Sequence, residues 1–283
     1  MIGIFPPSRE NWALIAHAFQ FFPVFTGLQW ITSWYPMGKT SIESRYNLPG
    51  KYAWCVMESP SWIIVLYMMH AVPAQEQLAG LPWENWTMAG LYVTHYLYRS
   101  LLFPYLQPTM SEIHPLVAAS AFAFQVCNAV SIGGWLAGYG PTTEHDWAGR
   151  QSAIQAGLVL WAWSLLAVVC HDDELREIRR LALRMQKAMA DGKGRSVQGV
   201  KKFYVVPQNG LFYYILYPHF LCEWFEWAAF WMIGGWDCHP ARTFLINEVA
   251  TMLPRALHGR QWYLKRFGKE RVDGRKAVIP ALL

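Results

Sequence analysis

YAWCVMESPSWIIVLYMMHAVP (residues 52–73) decides the class of fold. The run is apolar except for Glu58, the one charged side chain between Lys51 and Glu76. It is long enough to cross the hydrocarbon core of a bilayer, which takes roughly 20 residues. A charge at the centre of a membrane helix costs about 2.5–3.5 kcal/mol on insertion scales. Such a group faces a cavity or a partner, or stays neutral because burial disfavours the charged form. A neutral carboxylic acid in an apolar pocket can donate a hydrogen bond to a substrate oxygen. The competing reading is a Glu bonded between helices, or snorkelling, for packing alone.

The rest of the chain follows the same pattern. Of 283 residues, 54% are hydrophobic and only 15% charged, against about 25% charged in soluble domains. The 16 Trp, 15 Phe and 14 Tyr suit membrane interfaces. Asn11 to Gly38, Ile113 to Thr143 and Gln151 to Cys170 carry no Asp, Glu, Lys or Arg. These features predict an all-α integral membrane protein with seven crossings. The expected spans are Trp12–Trp34, Tyr52–Pro73, Trp86–Phe103, His114–Ala137, Gln151–Val169, Leu211–Gly235 and Thr243–Leu257. The first is too long for a signal-peptide core and is expected to be retained.

Orientation follows the basic residues. Nine of the 24 lie in Arg176–Lys202 and eight in Arg255–Lys276, with Lys39, Arg45 and Lys51 in the first loop. Those segments are expected in the cytoplasm and the N-terminus outside. The net charge of +5 is thus a positive-inside bias rather than a nucleic-acid footprint, although some of these arginines can also grip an anionic ligand. The five cysteines show no disulfide framework and no CxxC spacing, and read as small apolar fillers. Met185–Lys202 reads as a frayed helix end and a flexible loop.

Polar residues cluster inside the other spans. His95 and Arg99 are four apart and share a helix face, with Tyr96 beside it. A carboxylic acid and a phenol converging on one oxygen would make an oxyanion-type donor pair, Glu58 with Tyr96. His219, Glu223 and Glu226 also share a face. They imply a polar cavity that binds a ligand, a set of interhelical hydrogen bonds, or a metal site. No His-rich box accompanies them, so no metal is expected. His171, Asp172 and Asp173 precede Arg176, Arg179 and Arg180; Arg255, His258, Arg260 and Tyr263 recur at helical spacings. Arginines interleaved with aromatics can stack on a base and neutralise phosphates, or merely anchor the end of a helix. There is no GxGxxG and no GxxxxGK[ST], which excludes the common soluble nucleotide-binding loops.

Taken in order, these blocks resemble the steroid 5α-reductase family (3-oxo-5α-steroid 4-dehydrogenases). The resemblance is carried by Glu58-Ser-Pro-Ser61, by His95-Tyr96 with Arg99, and by His171 with Asp173 and Arg180. It continues through Tyr204, Pro207-Gln208 and Gly210-Leu-Phe212, then Phe220-Leu221, Glu223 and Glu226-Trp227, and ends with Arg255-Ala256, Tyr263-Leu-Lys265 and Arg275-Lys-Ala-Val-Ile-Pro280. It implies a single seven-helix membrane domain that uses NADPH to reduce the C4–C5 double bond of 3-oxo-Δ4 steroids. Residues 1–137 would mainly form the steroid pocket, with Glu58 and Tyr96 catalytic at the C3 carbonyl. Residues 150–283 would mainly hold NADPH, through Asp173, Arg180, Tyr204, His219, Glu223, Arg255 and Tyr263. Hydride would pass from the nicotinamide to C5, giving a 5α-dihydrosteroid. The pattern departs from the mammalian enzymes at Met57 (their Gln), at Val169 and His219 (their Asn) and at Gly259 (their His).

The expected partners are a steroid or other lipid enone and membrane lipid, with no nucleic acid, in a monomer. The expected location is the endoplasmic reticulum in a eukaryote or the inner membrane in a bacterium. A relative acting on another lipid enone, of enoyl-CoA or polyprenal type, would share the cofactor and differ in the pocket. A non-catalytic seven-helix receptor or transporter-like protein would bind no nucleotide.

Overall fold

A computed structural model describes residues 5–32, 44–191, 204–272 and 274–282. Lys39 and the end of the loop at 192–203 lie outside them. The described residues are built from helices: α1 (Arg9–Phe19), α2 (Phe22–Thr26), α3 (Leu28–Ile31), α4 (Gly50–Glu58), α5 (Pro60–Gln75), α6 (Trp83–Leu97), α7 (Phe103–Leu106), α8 (Pro115–Gly134), α9 (Gln151–Asp191), α10 (Pro218–Gly234) and α11 (His239–Val272). Among these residues the only β pairing is two isolated bridges, Leu48 with Ile113 and Ile215 with Lys276.

Local chemistry sets the boundaries. Ser8 caps α1 by accepting the Asn11 N–H at 3.3 Å. Pro60, Pro115 and Pro218 stand in the first turn of α5, α8 and α10, where a missing N–H costs nothing. Gly235, at φ 78°, stops α10. A Cβ there would lie 2.0 Å from Nη2 of Arg150, which donates to the Ile233 carbonyl at 2.7 Å. Pro254 lies within α11, and Gly268 (φ 80°) interrupts it.

Among the described residues, four stretches are long and apolar enough to cross a membrane: Arg9–Ile31, Gly50–Gln75, Pro115–Tyr139 and Gln151–Met189. They match the first, second, fourth and fifth predicted spans. The other three predicted spans are helical too, but α6 has 15 residues and α10 has 17, while α11 carries many charges. The sixth begins at Pro218, not Leu211. Residues 210–213 form a 3₁₀ turn, and Leu216 and Tyr217 donate their N–H groups to Lys276 and Ala277 at 3.0 and 2.9 Å. The backbone demand of the C-terminal tail thus overrides an apolar stretch.

α9 and α10 pack along each other, as do α5 with α8 and α1 with α8. The core runs through Trp147, Trp227, Tyr92, Phe230 and Phe244, all fully buried. All five cysteines are free thiols. Cys222 and Cys238 fill the interior, but Cys170 is exposed, so the filler reading fails for it. Met185–Asp191 forms the end of α9, as expected.

Candidate active site

Glu58 ends α4, where Ser59 and Pro60 join it to α5. Its carboxyl is buried and accepts an N–H from Gln125 of α8 at 2.6 Å (Nε2 to Oε2). One turn further along α8, Asn128 donates to the phenol oxygens of Tyr92 at 3.0 Å and Tyr96 at 3.3 Å. Gln125 and Asn128 are three apart and therefore share a helix face, with Cβ atoms about 5–6 Å apart. The acid of α4 and the phenol of α6 are thus held by neighbouring amides of one helix. The Tyr96 oxygen accepts from Asn128 and also lies within hydrogen-bond reach of the Tyr92 phenol. Asn128 Oδ1 is buried and has no partner among the described residues, which leaves an acceptor beside the two phenols.

A second polar group lies deeper. Nδ1 of His95 is 2.8 Å from Oε1 of Glu226, and Nε2 is 3.5 Å from Oε1 of Glu223. One ring therefore bridges two carboxylates on one face of α10. Arg99, in a π turn at residues 98–102, also acts on Glu223, the acid that His95 touches. Its guanidinium stacks over Trp54 (5.4 Å) and Phe103 (4.9 Å) and lies 3.7 Å from Asp172 of α9. Tyr98 donates to the same carboxylate at 3.0 Å. Glu58 is within electrostatic reach of Arg99, Glu223 and Arg255, so the predicted charges of α4, α10 and α11 act on one another. Glu248 belongs to this set as well, near Glu58 and Glu223. The sequence reading passes over Glu248, although a carboxylate inside an apolar span is the signal that singles out Glu58.

The remaining predicted residues gather at the end of the bundle where α9 turns charged. Asp173 is half-exposed and pairs with Arg176 at 2.5 Å, with Arg180 at 4.0 Å; Arg180 also bonds Glu177. It is Asp172, buried, that points into the protein. Tyr204 packs on Trp262 (4.9 Å), with Arg266 over its ring at 5.6 Å, and Tyr263 is buried against Phe267. Burial raises both phenols above the ordinary tyrosine range, against the pull of nearby Arg179, so both stay neutral donors. His171 accepts the Leu211 N–H on Nε2 at 3.2 Å, so its Nδ1 donates to the Ala167 carbonyl at 2.6 Å. His219 packs among Phe212, Tyr217 and Phe220. Arg255 stands over Phe220 at 5.7 Å.

Arg275, buried, donates to the carbonyls of Pro207 (2.6 Å) and Phe212 (3.1 Å) and to the Gln208 side chain (2.8 Å). It thereby shapes the segment that carries Tyr204. Gly259 also has a geometric reason. A Cβ at that position would lie 1.6 Å from the Tyr217 hydroxyl, so Tyr217 occupies the space of any larger residue. An apolar groove of about 530 Å3 runs between α4 and α8, past Tyr52, Val56, Met57, Ala118 and Phe122. Glu58 and Tyr96 do not line it, but Met57 and the α8 face that continues to Gln125 adjoin them.

The family described as 3-oxo-5-alpha-steroid 4-dehydrogenase has a sequence model that matches residues 112–283. That stretch holds the charged end, α10 and α11, and begins after Glu58 and Tyr96. Similarity to whole proteins extends further. An uncharacterized protein of Schizosaccharomyces pombe is 30% identical, over 88% of this chain and 91% of its own length. The steroid 5-alpha-reductase DET2 of Solanum lycopersicum is 29% identical over 92% of each chain. The 3-oxo-5-alpha-steroid 4-dehydrogenase 1 of Mus musculus is 27% identical over 93% of this chain and 92% of its own. This chain therefore belongs to the 3-oxo-5-alpha-steroid 4-dehydrogenase family of oxidoreductases.

Proposed function

We propose that the protein is a seven-crossing membrane reductase that uses NADPH to saturate the C4–C5 double bond of 3-oxo-Δ4 steroids. The observation that carries this reading is the pair Glu58 and Tyr96, held by amides one helical turn apart on α8. Two donors from different helices can then meet one ketone oxygen. The donor set at the charged end fits an anionic dinucleotide. Among the described residues Arg179 bonds the amide of Gln107 at 2.8 Å, and Arg266 rests on aromatic rings; both guanidinium groups can take phosphate oxygens. Arg180, Tyr204 and Tyr263 join this donor set, with Asp173 suited to hydroxyl donors, and His219, Glu223 and Arg255 complete it. When bound, NADPH supplies a hydride.

The protein's own part is electrostatic. Glu58 and Tyr96 donate hydrogen bonds to the C3 oxygen and draw electron density from C5. As C5 accepts the hydride, negative charge collects on that oxygen, and the resulting enolate takes a proton from water at C4. Donors aimed at charge that develops in the transition state act on kcat. Losing one typically costs about 10²–10³-fold.

The test is conversion of testosterone or progesterone by membranes that contain the chain, with NADPH, and product identification by mass and C5 stereochemistry. A 5α-dihydro product, lost by 10²–10³-fold in Glu58→Gln, is expected. Near-normal turnover in purified Glu58→Gln would remove its assigned role. Tight NADPH binding without product would move the substrate to another lipid enone.

A further inference from the structure

We infer that Gln125 is a positioning residue that selects which oxygen of Glu58 carries the acid proton. The inference rests on the reading of Glu58 as a donor to the substrate ketone. Gln125, Glu58 and Ser61 are each at least nine-tenths buried. The Gln125 amide donates to Oε2 of Glu58 at 2.6 Å. The Ser61 hydroxyl lies 2.9 Å from Oε1 of Gln125 and 2.7 Å from the Glu58 backbone carbonyl.

A carboxylic acid has one hydroxyl and one carbonyl oxygen, and only the carbonyl oxygen is a good acceptor. An N–H fixed on Oε2 makes that oxygen the carbonyl and leaves the proton on Oε1. Oε1 is then the sole donor the acid can offer a ligand. The amide itself could rotate by half a turn and present its oxygen instead, which would draw the acid proton to Gln125 and away from any ligand. Ser61 opposes that rotation. Its proton has two acceptors within reach, the Gln125 oxygen and the Glu58 carbonyl, and the former contact keeps the amide nitrogen turned to Glu58.

Gln125 therefore acts on Glu58 and not on the substrate. Gln125→Met keeps the side-chain volume and deletes the amide. In the steroid assay it is expected to lower kcat about tenfold, the upper size of one lost hydrogen bond, with the KM for steroid and NADPH within about twofold of wild type. The decisive readout is the double-mutant cycle. Added to Glu58→Gln, which has no acid proton to place, Gln125→Met is expected to cost nothing further. The same tenfold loss in both backgrounds would show a merely structural role and overturn the inference, as would an unchanged kcat in Gln125→Met. Should Gln125→Met fail to accumulate in membranes, Ser61→Ala is the second variant. A loss of about two- to threefold is expected there, again absent with Glu58→Gln, and an equal loss in both backgrounds refutes the assignment. A wild-type chain that reduces no steroid overturns the functional reading and Gln125 with it. A wild-type chain that does so, alongside an unaffected Gln125→Met, overturns Gln125 alone.

Discussion

His95→Leu tests the strongest cross-link in the interior. The ring touches Glu226 at 2.8 Å and Glu223 at 3.5 Å, with side chains 0–6% exposed, so none of the three can turn to solvent. Removing one partner of a buried ionic or hydrogen-bonded pair costs about 3–5 kcal/mol. The shorter contact carries most of that, because 3.5 Å is already long for a hydrogen bond. For a chain of this size, about 2–4 °C of melting temperature is lost per kcal/mol, so the expected drop is on the order of 10 °C. Glu226→Gln makes the contrast. Its Oε1 contact to His95 can survive as an amide, and Oε2 has no partner among the described residues. Replacing one unbonded atom by another leaves the balance nearly unchanged, so a shift within about 1 kcal/mol is expected. The assay is thermal unfolding in mild detergent, read by the surviving monodisperse fraction. A His95→Leu protein that melts with wild type would refute the bridge as a structural tie. A Glu226→Gln protein as weak as His95→Leu would show that the contact needs a full charge.

Further outcomes are expected elsewhere. Tyr96→Phe should lower kcat less than Glu58→Gln, as measured by steady-state steroid reduction. Arg180→Ala should mainly raise the KM for NADPH; an unchanged value would remove Arg180 from the cofactor site. Arg275→Met deletes three bonds to the 207–212 segment, each worth about 1.5–3 kcal/mol with a charged donor; faster proteolysis around Tyr204 is the readout. Asp146 accepts the N–H groups of Thr142 and Thr143, which hold its carboxyl below the usual range. Its contribution to stability is present above the unfolded pKa of about 3.9 and is lost as pH falls through the folded value; Asp146→Asn should flatten that acid limb of a melting-versus-pH curve.

Much of the fold is legible because charge is so sparse. The uncharged runs at 11–38, 113–143 and 151–170 each contain a helix that meets the length and hydropathy needed to cross a membrane. Glu58 stands out by the same contrast, and Glu248, the one charge between Arg242 and Arg255 inside the seventh predicted span, carries the same signal. Gln125 and Asn128 are uncharged and vanish in a charge map, although their three-residue spacing within an apolar run marks a polar stripe. The start of α10 is not legible, because residues 211–217 are apolar yet answer to a tail some sixty residues later through the Leu216 and Tyr217 bonds. The choice of Asp172 over Asp173 as the inward acid depends on helix phase against α6, which adjacent positions in a sequence do not reveal.

The bridge from His95 to Glu223 and Glu226 spans 131 residues of chain at its longest. During synthesis α6 therefore emerges long before α10 exists to receive it. Until α10 arrives, an imidazole waits without its acids, and α10 in turn brings two acids that suit no lipid. Each helix carries polar groups whose partner lies on the other. The bridge can therefore form only once α10 is present.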